Sequence, residues 1–212
     1  MLVGVLGLQG DYAEHLSVLR RIDIPTRLVK RAQELEGLSG LIIPGGESTT
    51  MLKFMLAEEL VEPIQRFAQG GGALYGTCAG AILLAREVTS PAQPSLSLLD
   101  VNIERNGYGR QVDSHITYGH CPAVGSSPLE MVFIRAPIIR YVGDTVETLA
   151  THQGDPVFVR QGSILATTFH PELSRDDRVH RYFVERVLGA RRVSPTTTPY
   201  EVAPVGRPHR SY

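Results

Sequence analysis

The 212-residue chain is predicted to fold as α/β, with a doubly wound, mostly parallel sheet, flanking helices and additional antiparallel strands. Three observations carry this expectation. In the first half, apolar runs of strand length alternate with stretches whose apolar residues recur at helical spacing, the pattern of parallel strands joined by helices. Around Cys78 a buried-strand pattern switches to a helix pattern with almost no residues left for the turn. In the second half the character changes to short apolar stretches at close intervals, which points to strands paired antiparallel.

Residues 2–8 form a continuous apolar run and are expected as a central strand covered on both faces. Asp11 then reads as an N-cap, and Tyr12, His15, Leu16, Leu19 and Ile22 fall on one helical stripe, with His15 expected to be packed or partly exposed rather than a ligand. Residues 26–29 and 40–43 are the next strands, the second halted by Pro44-Gly45-Gly46. Helices are expected over 49–57 and 60–69, the first preceded by a loop whose N–H groups point at whatever binds there, the alternative being a simple turn with Ser48 or Thr49 as N-cap. Residues 73–75 form the fourth strand and 79–85 the helix that follows it. Residues 89–95 read as a loop. Strands are expected over 98–103, 131–134, 145–150, 157–159 and 164–168, with short turns such as Gln153-Gly154-Asp155 between them. An amphipathic helix over 178–188 closes a single domain of residues 1–188. The remainder, 189–212, is a tail rich in proline, threonine and arginine with little to bury.

Composition removes several function classes. The balance of 21 basic against 22 acidic residues offers no sign of a nucleic-acid or anionic-membrane surface. No apolar run is long enough to span a bilayer as a helix, and the chain opens into a strand rather than a signal peptide. Two cysteines make a disulfide scaffold unsuitable and point to a reducing, cytoplasmic setting. His115, His120 and Cys121 have loose spacing and no evident fourth ligand, so they are expected to be loop residues, and no metal or cofactor is expected.

The chemistry concentrates at the strand–helix switch. In Gly76-Thr77-Cys78-Ala79-Gly80 the central residue is forced into a strained conformation, and glycines two places to either side remove the clashes. This is the pattern of a nucleophile elbow with cysteine in place of serine. It sets Cys78 at the start of a helix, where unpaired N–H groups favour a thiolate. A nucleophile needs a base. Thr168-Phe169-His170-Pro171-Glu172 ends the last apolar strand, and in an extended chain His170 and Glu172 project to one side. A Cys78–His170–Glu172 triad follows, with Glu172 fixing the imidazole tautomer. Parallel sheets carry their sites at the carboxyl ends of the strands, so the loop Gly45-Gly46-Glu47-Ser48-Thr49-Thr50 should open on the same edge. It lacks the Gly-Lys-Ser/Thr of a P-loop.

Gly7-Leu-Gln-Gly10, Pro44-Gly-Gly-Glu-Ser-Thr-Thr-Met51, Gly76-Thr-Cys-Ala-Gly80, Glu104-Arg-Asn106, Gly109-Arg-Gln-Val-Asp-Ser114, Phe133-Ile-Arg-Ala-Pro137 and Phe169-His-Pro-Glu-Leu173 occur in this order. Together they resemble the glutaminase subunits of pyridoxal 5′-phosphate synthases, a family of triad (class I) glutamine amidotransferases. The resemblance covers residues 1 to about 188; His115 and residues 116–130 depart from it, and the tail lies outside it. It implies a flavodoxin-like core and hydrolysis of L-glutamine to glutamate and ammonia through a cysteine thioester. The ammonia passes to a separate pyridoxal 5′-phosphate synthase (lyase) subunit in a large hetero-oligomer, for vitamin B6 biosynthesis. The resemblance places glutamine against Gly46, Glu47, Ser48, Arg105, Ile134 and Arg135, with backbone N–H groups at Gly46 and Ala79 as the oxyanion hole. The pair Gly45-Gly46 also motivates the expectation that this hole is completed only when the synthase subunit docks. Three other readings share these residues: a glutaminase subunit of another triad amidotransferase, such as one serving histidine biosynthesis; a cysteine peptidase; and a non-catalytic regulatory module of the same fold.

Overall fold

A computed structural model describes residues 1–106 and 114–189 of the chain. The tail from 190 onward and the segment 107–113, which holds most of the Gly109-to-Ser114 motif, lie outside the described residues. The first half runs β1 (Val3–Leu6), α1 (Tyr12–Arg21), β2 (Thr26–Val29), β3 (Gly40–Ile43), α2 (Ser48–Ala57), α3 (Val61–Gln69), β4 (Ala73–Thr77) and α4 (Ala79–Leu84). The second half adds β5 (Ala85–Thr89), β6 (Leu99–Glu104), β7 (His115–Gly119), β8 (Leu129–Phe133), β9 (Ile138–Val142), β10 (Glu147–His152), β11 (Asp155–Gln161), β12 (Ile164–Thr167) and α5 (Arg178–Tyr182).

Seven strands form the main sheet in the order β10-β11-β12-β4-β3-β1-β2. The five from β12 to β2 are parallel, and β10 and β11 extend the sheet antiparallel. The parallel part has the flavodoxin-like order, whose direction of winding reverses at β1 and β3. Alternation along each strand splits the core in two: Leu6, Leu41 and Ile43 face one side, and Val3, Val5 and Ile42 the other. α2 covers the first side through Met51, Leu52 and Met55, helped by a small sheet of β5, β6 and β9. The second side takes Leu19 and Ile22 at the end of α1, Val179 of α5, and Leu129, Met131 and Phe133 of the β7–β8 hairpin.

Several expectations are corrected. The helix over 79–85 stops at Leu84, because Ala85 opens β5, which pairs parallel with β6 and had no counterpart in the expectation. β9 was also unforeseen; it follows Pro137 and pairs antiparallel with β6. His115 opens β7 instead of lying in a loop, whereas Cys121 precedes a short 3₁₀ turn and is fully buried. The closing helix holds α geometry only over Arg178–Tyr182 and then widens to a π-helical turn over Phe183–Val187. Among the described residues no helix is long and apolar enough to cross a membrane.

Candidate active site

The loops after β1, β3 and β4 open on one edge of the sheet. The sharpest of them holds Cys78 at φ +46° and ψ −100°, a conformation that L-residues rarely adopt. Surrounding bonds impose it. The Cys78 N–H donates to the Thr167 carbonyl on β12 at 2.8 Å, and the Cys78 carbonyl accepts from Ile82 N–H at 3.1 Å as α4 begins. The flanking glycines are there for close approach. A Cβ on Gly76 would lie 2.6 Å from the Gly80 carbonyl carbon, and one on Gly80 would collide with the Ile43 carbonyl of β3. Cys78 is 6 % exposed, and its Sγ lies 4.0 Å from the Ile134 carbonyl oxygen.

His170 follows β12 by three residues and is anchored by its own N–H, which donates to the Val132 carbonyl of β8 at 2.8 Å. Its Nδ1 lies 2.8 Å from Glu172 Oε1 and 3.4 Å from Asp11 Oδ2. Its Nε2 is buried with no hydrogen-bond partner among the described residues. The expectation for His170 and Glu172 is an extended chain that projects both to one side. In fact His170 leads into a 3₁₀ turn over Pro171–Leu173, and the turn brings the carboxylate to Nδ1 at the ring edge. Burial alone would lower the His170 pKa, but Asp11, Cys78 and Glu172 outweigh it and keep the ring protonated well above the usual imidazole range. Burial raises Glu172, and the His170 ring offsets part of that rise. With carboxylates on its Nδ1, the ring must carry a proton there, and its Nε2 is left for the thiol and the substrate.

Glu47 is the N-cap of α2, so neither Ser48 nor Thr49 takes the place that the simple-turn alternative gave them. Its carboxylate accepts from Thr49 N–H at 3.0 Å, Thr50 N–H at 2.7 Å and the Thr50 hydroxyl at 2.6 Å. Burial would raise its pKa, but these bonds bring it down to about 2. Arg105 donates to Glu47 Oε1 at 3.3 Å and to Thr49 Oγ1 at 2.9 Å, so its guanidinium is held beside the carboxylate. Gln9 accepts from the Glu47 N–H at 2.9 Å, and the Ser48 hydroxyl donates to Gln93 at 3.0 Å.

Cys78, His170, Gly46, Glu47, Ser48, Arg105, Ile134 and Arg135 line one cavity of about 290 Å³, together with Asp11, Ile82, Asn106 and Leu173. Glu172 lies behind His170 and is 5 % exposed, and Ala79 is buried at the first position of α4. Asp11 was read as an N-cap. It holds that position on α1, but its side chain makes no capping bond and turns to His170 instead. The edge rule for parallel sheets could have found it, since it stands just beyond the carboxyl end of β1. Cavity and cysteine together suit a small substrate attacked by a thiolate, with charges of both signs at the rim.

Comparison with known proteins bears on this arrangement. A family model described as the SNO glutamine amidotransferase family matches residues 5–189. A protein of Kosmotoga olearia named pyridoxal 5′-phosphate synthase subunit PdxT is 50% identical over 190 residues, covering 89% of this chain and 99% of that protein. Its namesake from Thermotoga neapolitana is 48% identical over 187 residues, covering 88% and 100%. A solved structure described as a glutamine amidotransferase superposes with a TM-score of 0.83 at 46% identity, covering 88% of this chain and 98% of that one.

Proposed function

The chain belongs to the SNO glutamine amidotransferase family, and from that premise we propose that Cys78, His170 and Glu172 carry out its glutaminase chemistry. The protein is the glutaminase subunit of a pyridoxal 5′-phosphate synthase: it hydrolyses L-glutamine to L-glutamate and ammonia, and a synthase subunit uses the ammonia in vitamin B6 biosynthesis. A cytoplasmic setting accords with this role and with two free cysteines.

The Cys78 thiolate attacks the carboxamide carbon, and the carbonyl electrons move onto oxygen, which meets the N–H groups of Ala79 and Gly46. His170, protonated on both nitrogens, gives its Nε2 proton to the amide nitrogen as the C–N bond breaks. Ammonia departs and a glutamyl thioester remains. Neutral His170 then takes a proton from water, the oxygen attacks the thioester, and glutamate leaves as the thiolate returns. Glu172 keeps the Nδ1 proton in place throughout. A free amino acid brings an α-carboxylate and an α-ammonium group, and the rim offers Arg105 and Arg135 for the first and Glu47 for the second. The Gly45 carbonyl accepts from Asp11 N–H at 3.2 Å, which fixes the plane of the Gly45–Gly46 peptide. Docking of the synthase subunit turns this plane to complete the oxyanion hole, and glutamate release by the isolated chain at the rate of the complex would refute that step.

The observation that carries the reading is the meeting of Cys78 and His170 at one cavity. It is tested by mass spectrometry after incubating the complex with an electrophilic glutamine analogue. The expected result is one adduct, on Cys78. Cys121 should stay unlabelled, since it is fully buried and burial pushes its thiol pKa up. Labelling of neither cysteine contradicts the assignment.

A further inference from the structure

Behind the triad lies a set of polar side chains that this mechanism does not use. His15 of α1, Thr77 at the end of β4 and His180 of α5 are all 0 % exposed. His15 Nδ1 is 2.9 Å from His180 Nε2, and His15 Nε2 is 3.1 Å from Thr77 Oγ1. Thr77 Oγ1 lies 3.5 Å from Glu172 Oε1, and His15 Nε2 lies 3.6 Å from the same oxygen. Side chains from α1 and β4 therefore converge on the one carboxylate oxygen that holds His170 Nδ1, and α5 reaches it through His15.

The donors in this set can be assigned. An ionised carboxylate only accepts, so Thr77 must donate to Glu172. The Thr77 oxygen can then accept from His15, which places the His15 proton on Nε2. His15 Nδ1 is left as a lone pair and accepts from His180 Nε2–H. The remaining His180 nitrogen, Nδ1, has no hydrogen-bond partner among the described residues, and a bare lone pair is the cheaper group to leave unpaired in the interior. One direction satisfies every bond: His180 to His15 to Thr77 to Glu172. It requires both imidazoles to be neutral, which burial enforces by lowering both pKa values, His180 to about 3. The groups facing the pair are few. Tyr75 of β4 presents its ring to both, His170 and Glu172 face His15 from the turn after β12, and Arg21 of α1 and Asp177 act on His180.

The geometry points to His15 as a positioning residue for the glutaminase reaction, the middle of an uncharged donor chain from His180 through Thr77 that holds the Glu172 carboxylate against His170. The inference rests on the glutaminase reading and adds to the triad a group that touches neither substrate nor thiol. Without the chain, Glu172 Oε1 keeps only its His170 and Asp11 surroundings; the carboxylate is then harder to ionise and freer to turn.

The test compares the complex of the full chain and its synthase subunit for wild type, His15→Leu and His15→Gln, with glutamate release followed across pH. His15→Leu leaves Thr77 on Glu172 but takes away the donor behind it, and is expected to lower kcat roughly 3–10-fold, the loss of one neutral buried hydrogen bond. KM should stay within about twofold, and the acid limb of the kcat profile should move to higher pH. His15→Gln, whose amide can donate near the lost Nε2–H, should restore much of both. A folded His15→Leu variant with wild-type kcat and an unmoved acid limb would overturn the proposal. If His15→Leu does not fold, ¹⁵N NMR of the wild-type histidines decides. Neutral His15 protonated on Nε2 supports the chain; protonation on Nδ1, or an imidazolium at neutral pH, overturns it. A wild-type complex that releases no glutamate would count against the glutaminase reading, and the tautomer of His15 would still decide this one.

Discussion

Replacing Gly80 by alanine tests how tightly the elbow is built. On helix propensity alone the change should help, since alanine in a helix is favoured over glycine by about 0.5–1 kcal/mol. The packing says the opposite. An ideal Cβ at position 80 would sit on the Ile43 carbonyl oxygen and 2.8 Å from its carbon, against an ordinary contact of 3.4 Å or more. The carbon alone demands a shift of 3.4 less 2.8, or 0.6 Å, and the oxygen demands more. Neither side can yield cheaply. Ile43 is in the centre of the sheet, between β1 and β4, and Ala79, Ala81, Leu83 and Leu84 of α4 are all at most 1 % exposed. The strain therefore passes to the turn at Cys78. Overpacking of this kind costs about 1–3 kcal/mol, which exceeds the propensity gain, and a nucleophile displaced by the order of 1 Å loses roughly 10²-fold in rate. Urea denaturation and glutamate release by the complex measure both. A Gly80→Ala protein as stable as wild type, releasing glutamate within about twofold of its rate, would refute the account of the elbow.

Two further predictions follow from the site. Glu47→Ala removes the α2 cap and the partner of Arg105, so stability should fall by about 1 kcal/mol and KM for glutamine should rise more than kcat falls; an unchanged KM would remove Glu47 from the substrate site. The buried histidines make the fold sensitive to acid. His180 titrates near 6.5 when unfolded and at about 3 when folded, so the unfolded chain binds the extra proton between those values. The stability is fully present above pH 6.5 and is lost as pH falls toward 3, at about 1.4 kcal/mol per pH unit for each such group. Urea titrations between pH 7 and 4 should show this slope in wild type and a shallower one in His180→Leu; equal slopes would contradict the assignment.

Local pattern was enough to find β1 to β4, because a run such as residues 40–43 followed by Pro-Gly-Gly needs no distant partner to be read as a strand. The elbow was legible for the same reason: its glycines and cysteine lie within five residues. What was missed depends on contacts made far along the chain. Ala85 continues a stretch of strong helix formers with no stop signal, and only pairing with β6 turns it into β5. β7 has Ile116 and Tyr118 exposed and is fixed by its hairpin with β8 rather than by burial. The contact between His15 and His180 joins residues 165 apart, which no spacing rule reaches. Asp11 was misjudged differently, since a residue at an N-cap position suggests a local role while its side chain serves the neighbouring loop.

The account depends most on Cys78 as the nucleophile. Glutamate release from glutamine by the complex, compared between wild type and Cys78→Ala, tests this directly, with circular dichroism to show that both are folded. The prediction is native spectra for both and no release above background for Cys78→Ala. Release near the wild-type rate from the folded Cys78→Ala complex would contradict it.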